Sequence, residues 1–569
     1  MADPRQSIRD RAIRRVRRAC DACRRRRVKC NGNPECCQQC SHLNLRCVYS
    51  TDARSSSRNG VARGSVISAL RDISSPTATA TTARSSNNAT SSRILGHGER
   101  ITLGGQTKET SSKIQAAAMF SKEFFKGLLS DYTLHVYVVN PIISPLEMAE
   151  SIERMDQPEN LVDNALVHAY AAVTLNLTTP NWQADQAESL RIHQLLGLAL
   201  SARDTLVTRS MSIIESSIHP HLTARLIMTA IFIEICLMAV DKFSEAFMIL
   251  REAIAMIQLL GVDRLVAEDP PNQAAPGQTL TSTSRLPPEE RSRRIRMYWE
   301  AFIHERFLTI VAYYPAALAP LPPEVSLPTE DPSIPQNVQT GWRYLVRLFC
   351  VVDDDFIRYW RSIGSAPPRG VTAEWIETKM HHLDDLSHMD LEMYQDTRYH
   401  NLQDASGTSS FQVLGEEPVE PDCLSTLQKA DIIVTRQWLL MVLWQLAISS
   451  FPLTSQSIRT RSAAMSLQFP ARLSQQLRQV VVILGRKNIE RHGSGILKKL
   501  FEITNALGDV IIHVPTDSTD HRSQWLDDFN FLFDFLHNSA SLSEVQVNIL
   551  AEKSIAATAC VRREQRLRS

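Results

Sequence analysis

From about residue 114 onward, apolar residues recur at helical spacing along most of this chain. Phe120, Phe124, Leu128 and Leu129 fall at intervals that share one helix face. Ala165–Asn176 and Ala187–Leu206 continue the pattern, and Thr223–Val240 with Ser244–Leu260 predict a helical pair. Gly261 stands just past the last periodic residue of that pair, where glycine accepts the left-handed backbone that stops a helix. Asp263–Glu290, rich in Pro, Thr and Ser, reads as a long loop. Arg291–Tyr314 returns to a strongly amphipathic helix, closed by Pro315. No useful run alternates with period two, so the body is expected to be all-α.

The apolar stretches Leu226–Val240 and Trp438–Leu453 are interrupted by Glu234 and Gln445. Both fall short of the ~18–20 apolar residues that cross a bilayer, so buried helices are predicted and no membrane partner is expected. Residues 516–569 are expected to form a C-terminal helical tail. Within it, Trp525–Leu536 interleaves acidic and aromatic residues, the composition of an activation segment. Leu526, Phe529, Phe533 and Leu536 also share one helical face, which favours a core helix. Arg293, Arg294, Glu305 and Arg306 form a charged group for which ion pairs between helices are preferred over a ligand site. His381, His382, Asp384, Asp385 and His388 are read as a solvated face rather than a metal site.

Ahead of residue 114 the pattern disappears, and charge takes over. The 569-residue chain has a net charge of only +1. Residues 1–47 alone hold thirteen Arg or Lys against four acids, +9 in all, so the remainder carries −8. A basic head on a slightly acidic body is the electrostatic footprint of a nucleic-acid binder. Residues 1–19 form a basic arm whose run Arg14-Arg15-Val16-Arg17-Arg18 suits nuclear import as well as phosphate contact. Residues 48–113 read as a disordered linker, because Ser74–Arg93 is nearly all Ser, Thr, Ala and Asn and cannot bury a core. The linker's one helical candidate, Val66–Ile73, offers about two turns before Pro76, too few for a zipper. Any homodimer is therefore expected through the helical body.

Between arm and linker lie the residues with the strongest chemistry. Cys20, Cys23, Cys30, Cys37, Cys40 and Cys47 make two CxxC pairs, each followed by a third cysteine after six residues. A CxxC brings two thiolates to one metal, and tetrahedral Zn2+ favours such soft ligands. Two zinc ions need eight ligand positions, and six thiolates suffice if two of them bridge both metals. A disulfide framework is disfavoured, since no apolar leader precedes the arginine-rich start. His42 is the only histidine in the segment and is not assigned as a ligand. Cys36 breaks the symmetry of the two halves and reads as a spare thiol.

The segment resembles the fungal binuclear-zinc-cluster (Zn2Cys6) transcription factors through Ala19-Cys20-Asp21-Ala22-Cys23-Arg24, Arg27-Val28-Lys29-Cys30, Cys37-Gln38-Gln39-Cys40 and Cys47-Val48-Tyr49-Ser50. The resemblance implies a small module of two short helices over residues 20–47, holding two zinc ions per chain. It makes Cys20 and Cys37 the bridging ligands, with Cys23 and Cys30 completing one site and Cys40 and Cys47 the other. Double-stranded DNA is the implied partner. Base contacts fall to Arg26 and Arg27, the latter standing where the family usually has lysine, and the implied targets are CGG-like triplets. Arg17, Arg18, Arg24, Arg25 and Lys29 are expected to hold phosphates, which gives affinity rather than sequence choice.

The body, bounded at residues 114–515, has a looser resemblance to the fungal-specific regulatory (middle homology) domain, over about residues 120–515. It rests on Leu250-Arg251-Glu252-Ala253-Ile254 with Leu260-Gly261, Arg294–Trp299 with His304-Glu305-Arg306-Phe307 and Tyr314-Pro315-Ala316, Ala430-Asp431-Ile432 with Thr435-Arg436-Gln437-Trp438, and His492-Gly493 with Lys499-Leu500-Phe501-Glu502. No P-loop, GxGxxG, GxSxG or HExxH motif is present, so no enzyme is expected. The expected function is nuclear, sequence-specific control of RNA polymerase II transcription, more often activation, with co-regulators as further partners. Fungal metabolic genes are the implied targets, in a secondary-metabolite cluster or in sugar or amino-acid catabolism. A scaffold or enzyme targeted to DNA by the cluster is the alternative class.

Overall fold

The computed structural model describes Cys20 and residues 120–157, 159–179, 181–210, 220–262, 286–321, 331–363, 370–386, 424–450, 466–514, 519–539 and 542–568. The chain divides after Leu103 into two units, and Cys20 is the one described residue of the first. The described residues of the second are helical, with no strand. In order they form α1 (Lys122–Gly127), a π-helical segment (Tyr132–Tyr137), α2 (Pro145–Arg154), α3 (Leu161–Thr178), α4 (Gln186–Ser210), α5 (Pro220–Ala239), α6 (Phe243–Leu259) and α7 (Pro288–Ala312). There follow α8 (Gln336–Phe349), α9 (Asp354–Ser362), α10 (Ala373–Asp385), α11 (Thr426–Ser450), α12 (Phe469–Leu484), α13 (Arg486–Glu490), α14 (Gly493–His513), α15 (Thr519–His537) and α16 (Glu544–Arg568).

Local sequence sets several boundaries. Ser144 and Glu147 exchange hydrogen bonds with each other's backbone amides, a capping box that starts α2 with Pro145 in its first turn. α6 stops where predicted, with Gly261 at φ 62°. α7 begins at Pro288, three residues before the predicted start, so the end of the supposed loop is helical. Proline at the helix start needs no N–H partner, and Glu289 and Glu290 face the positive end of the helix dipole. Tyr313 ends α7 in the left-handed region at φ 59°. The opening run behaves differently from its periodicity. α1 ends at Gly127, and a π-helical turn carries Tyr132 and Tyr137 inward, where the Tyr132 hydroxyl donates to the Ile143 carbonyl at 2.7 Å.

α3 packs on α4 and α5, α5 on α6, and α6 on α7. α11 touches α8, α12 and α14, while α14, α15 and α16 pack on one another. One apolar cluster runs from Phe125 to Ala557. Trp438 on α11 is its largest fully buried side chain. α11 is the described helix long and apolar enough to cross a membrane, and most of that apolar stretch is buried in the protein interior. Of the two readings of Trp525–Leu536, the core helix is found: Phe529 and Leu536 are fully buried in α15.

α7 departs from the predicted amphipathic pattern. From Arg294 to Ile303 every residue is buried, charged ones included. Buried charge needs pairing. Arg296 reaches Asp331 at 3.1 Å, and Arg306 donates to the Val352 and Leu318 carbonyls at 2.9 and 2.7 Å. Glu305 accepts from the Ala317 and Leu318 amides and from Arg251. These charged side chains thus turn toward internal partners instead of water.

Candidate functional site

Of the cysteine and arginine candidates, the structure describes Cys20 alone, and it is fully buried. Cys23, Cys30, Cys37, Cys40 and Cys47 lie outside the described residues. So do Arg17, Arg18, Arg24, Arg25, Arg26, Arg27 and Lys29, with Cys36, His42 and the Val66–Ile73 segment. The two charged groups noted in the body resolve as ion pairs and exposed surface. Arg293 pairs with Glu147 at 2.7 Å and Arg294 with Glu290 at 2.9 Å. His381, His382, Asp384 and Asp385 are exposed, and His388 lies outside the described residues. Among the described residues no group of three or more His, Cys, Asp or Glu is placed to hold a metal.

The helical body does contain a cavity of about 160 Å³, lined by apolar and charged side chains, that the sequence did not reveal. Its walls come from the π-helical segment and the residues after it, α3, α5, α7, α8, α11 and the start of α14. His304 on α7 stands between two buried carboxylates. Its Nδ1 lies 2.7 Å from Glu234 of α5 and its Nε2 lies 3.3 Å from Glu300, one turn back on α7. Burial pushes the His304 imidazole down, but the charges and hydrogen bonds of Glu234 and Glu300 outweigh it and raise its pKa to about 10. Glu300 also accepts from Asn140 Nδ2 at 2.9 Å and from Trp342 Nε1 at 3.2 Å.

Across the cavity, Lys499 of α14 donates to Thr435 Oγ1 at 2.6 Å and to Asp431 Oδ1 at 3.3 Å, both on α11. Its ammonium also lies 5.7 to 5.9 Å from the ring centres of Phe307, Trp438 and Phe349. Burial pushes the Asp431 carboxyl up, and the Lys499 charge reverses this, leaving it below the usual carboxylate range. His492 and His135 are both held below the usual imidazole range, chiefly by burial. Gly493, at φ 66°, lets the chain turn into α14 against α3; a Cβ there would meet Leu177 at 2.9 Å.

Two amides on this wall are incompletely bonded. Asn176 Oδ1 accepts from Trp182 Nε1 at 2.9 Å. An indole N–H can only donate, which fixes the amide's orientation and leaves Asn176 Nδ2 without a partner. Asn140 Nδ2 is committed to Glu300, which leaves Asn140 Oδ1 without a partner. Both side chains are about 95% buried, at 4% and 5% exposure for Asn140 and Asn176. A wider groove of about 440 Å³ lies along Ala316–Ala319 and α9, but its charged residues Asp354 and Arg358 are largely exposed to water.

His304, Phe307, Asp431, His492 and Lys499 all line the cavity, and all belong to the short segments quoted for the regulatory-domain resemblance. Glu234, Glu300, Asn140 and Asn176 were missed there. Glu234 did carry a signal, as a carboxylate interrupting an otherwise apolar helix.

Comparison with known proteins addresses the first unit. Residues 18–56 match the family described as the fungal Zn(2)-Cys(6) binuclear cluster domain. The chain carries a Zn2Cys6 cluster domain. The matched range contains all six paired cysteines and the Arg24–Lys29 run. The match supports the reading of a fungal transcription regulator that binds zinc and DNA. Beyond the domain, the Zn2Cys6 chain is similar to the "Probable sucrose utilization protein SUC1" of Candida albicans (strain SC5314 / ATCC MYA-2876). The identity is 23% over 412 residues, covering 71% of this chain and 68% of that protein.

Proposed function

We propose that this Zn2Cys6 protein is a nuclear, sequence-specific activator of RNA polymerase II transcription that reads CGG-like triplets through its basic cluster. The observation that carries this reading is the Arg24–Lys29 run lying between two cysteines of the matched domain. Cys20, Cys23, Cys30, Cys37, Cys40 and Cys47 would hold two zinc ions. Six thiolates suit that metal, and the burial of Cys20 suits a ligand shielded from water. Zinc, when bound, supplies folding free energy to a module too short to bury a core of its own.

With the module folded, Arg26 and Arg27 are assigned to the major groove. An arginine fork can bond guanine O6 and N7 together, worth roughly 1–3 kcal/mol of discrimination. Arg17, Arg18, Arg24, Arg25 and Lys29 neutralise phosphates and set the salt dependence. Residues 48–113 serve as the connection to the helical body, which spans residues 114–515 and continues through 516–569. The body supplies contacts to co-regulators and any homodimer interface. Sedimentation of the full chain with and without a two-triplet duplex tests the dimer; a dimer that survives deletion of the body would place the interface elsewhere.

The name of the Candida albicans relative favours sugar-utilisation genes over the other metabolic targets. Genome-wide mapping of bound sites, with transcript profiling on sucrose and on an unrelated carbon source, tests both target and sign. Bound CGG-like sites beside sugar-utilisation genes that fall silent on deletion support the proposal. Bound sites lacking a triplet, or genes that rise on deletion, contradict the triplet reading and the activator reading respectively.

A further inference from the structure

We infer that the cavity at the start of α14 is a binding site for a small zwitterion, an α-amino acid with an apolar side chain. This goes beyond the DNA-reading role and rests on separate residues. The cavity of about 160 Å³ is roughly ten times the ~15 Å³ that admits one water. Ile235, Ile303, Leu345 and Phe349 give it apolar walls, along which water lacks partners and is readily displaced.

The donors of the site are at the N-terminus of α14. Ser494, Gly495 and Ile496 of its first turn line the cavity. The amides of Gly493, Ser494 and Gly495 find no acceptor among the described residues, and the N-cap His492 side chain supplies none. Such an end binds anions through its free N–H groups and the helix dipole. Ser494 adds an independent sign of a ligand. Its side chain belongs to a residue only 5% exposed, yet the hydroxyl has no partner among the described residues. That oxygen is not one of the sealed, unpaired atoms of the interior, so it keeps surface toward the cavity it lines. A carboxylate at this point accepts from the hydroxyl and the amides together.

The acceptors stand beside them. Asp431 Oδ1 takes both of that carboxylate's bonds, from Lys499 and Thr435, which leaves Oδ2 open. His492 Nε2 lies 2.7 Å from the Leu427 carbonyl and His135 Nδ1 lies 3.0 Å from the Asp131 carbonyl. A carbonyl can only accept, so those nitrogens carry the protons, and His492 Nδ1 and His135 Nε2 present lone pairs. Burial holds both rings below the usual imidazole range and so keeps them neutral acceptors. None of these three atoms is sealed from solvent, and the Asp431 and His135 side chains are 15% and 11% exposed. The charges of Asp431 and His135 both act on His492, the residue that caps α14. Donors for a carboxylate and acceptors for an ammonium therefore adjoin, as the two groups do on one carbon of an α-amino acid. An anion alone meets a lining with three carboxylates, Glu234, Glu300 and Asp431, against the two cations His304 and Lys499. A cation alone leaves the helix amides and Ser494 unpaired.

Gly495 gives a way to close the site. A Cβ placed on it meets nothing within 4 Å, and its helical position favours leucine over glycine. The test is calorimetric titration of the full chain with L-valine and L-leucine. Isovalerate and isocaproate lack their amino groups, and isobutylamine and isoamylamine lack their carboxylates. At least one amino acid is expected to saturate one site per chain, and its two counterparts to bind at least about tenfold more weakly, because each loses a set of charge-assisted bonds. Ser494→Ala should weaken binding about tenfold. Gly495→Leu should abolish it while keeping the wild-type circular dichroism. Absence of saturable binding by both amino acids overturns the inference. A counterpart acid or amine that binds as tightly as its parent also overturns it, as does unchanged affinity in folded Gly495→Leu. If a variant fails to fold, the wild-type titration against the six compounds decides.

Discussion

The basic head and the helical body of this chain store their chemistry in opposite ways. In the head, six cysteines and the arginines between them lie within about thirty residues, because a CxxC brings two ligands together through local chain geometry. In the body, the cavity gathers Asn140, Asn176, Glu234, His304, Asp431 and Lys499 from positions up to hundreds of residues apart. Apart from Asn140, which follows the π-helical segment, each sits in an apolar or mixed helix, and the packing of those helices brings them together. A site built by a short loop is visible as spacing. A site built by helix packing is visible, at most, as a polar residue out of place.

The largest expected effect that would break this contrast is in the head. Cys20→Ala in the full chain should remove zinc and abolish DNA binding, because Cys20 as the proposed bridging ligand would serve both metals. Elemental analysis should give two zinc ions per wild-type chain, and two for Cys36→Ser. One zinc per wild-type chain, or metal loss in Cys36→Ser, would show the ligand set to be wrong. In the body, Trp438→Ala should cost about 3–5 kcal/mol of stability, the usual range for emptying a large aromatic site. Glu234→Ala should cost less, ~1–3 kcal/mol, because His304 keeps Glu300 as a partner and can give up its proton. Denaturant unfolding checks both; losses under 1 kcal/mol would mean that these positions are more open to water than the structure shows.

A smaller effect concerns pH. His304 is raised to about 10 in the folded state, above the ~6.5 of an unfolded imidazole. The stability from its proton is therefore complete below about pH 6.5 and fades as pH rises toward 10. His135 and His492 are held below the ordinary range, so their effect runs the other way, destabilising the fold as pH falls. The thermal-midpoint advantage of wild type over His304→Gln should shrink between pH 7 and pH 10; a constant advantage would place no proton on His304.

Finer still are the arginines. Arg27→Ala should reduce discrimination between a CGG-containing and a scrambled duplex by roughly 1–3 kcal/mol. Arg17→Ala should weaken both duplexes about equally and lower the salt slope by ~1. Equal losses on both duplexes for Arg27→Ala would remove it from the base-reading role.

Much of the body's architecture was legible in the sequence. The helical pair that ends at Gly261 and the core role of Phe529 and Leu536 follow from apolar spacing and one stop signal. α7 was legible as a helix but not as a buried one. Arg296, Glu300, Glu305 and Arg306 are charged residues of the kind that normally face water, and their partners, Asp331, Asn140, Arg251 and the Val352 carbonyl, come from elsewhere in the chain. The π-helical turn at Tyr132–Tyr137 has no hydrophobic signature of its own. Its shape is tied to the tertiary hydrogen bond from Tyr132 to Ile143.

The central claim is that zinc-held cysteines make the basic head a DNA reader while the helical body keeps its own fold. Its most direct test follows binding of the full chain to a CGG-containing duplex while a chelator strips the metal and circular dichroism tracks the body. The account predicts that DNA binding is lost as zinc leaves, returns when zinc is restored, and leaves the helical signal and thermal midpoint of the body essentially unchanged. Tight, sequence-selective binding by the metal-free chain would contradict it, as would loss of the body's helical signal in step with the zinc.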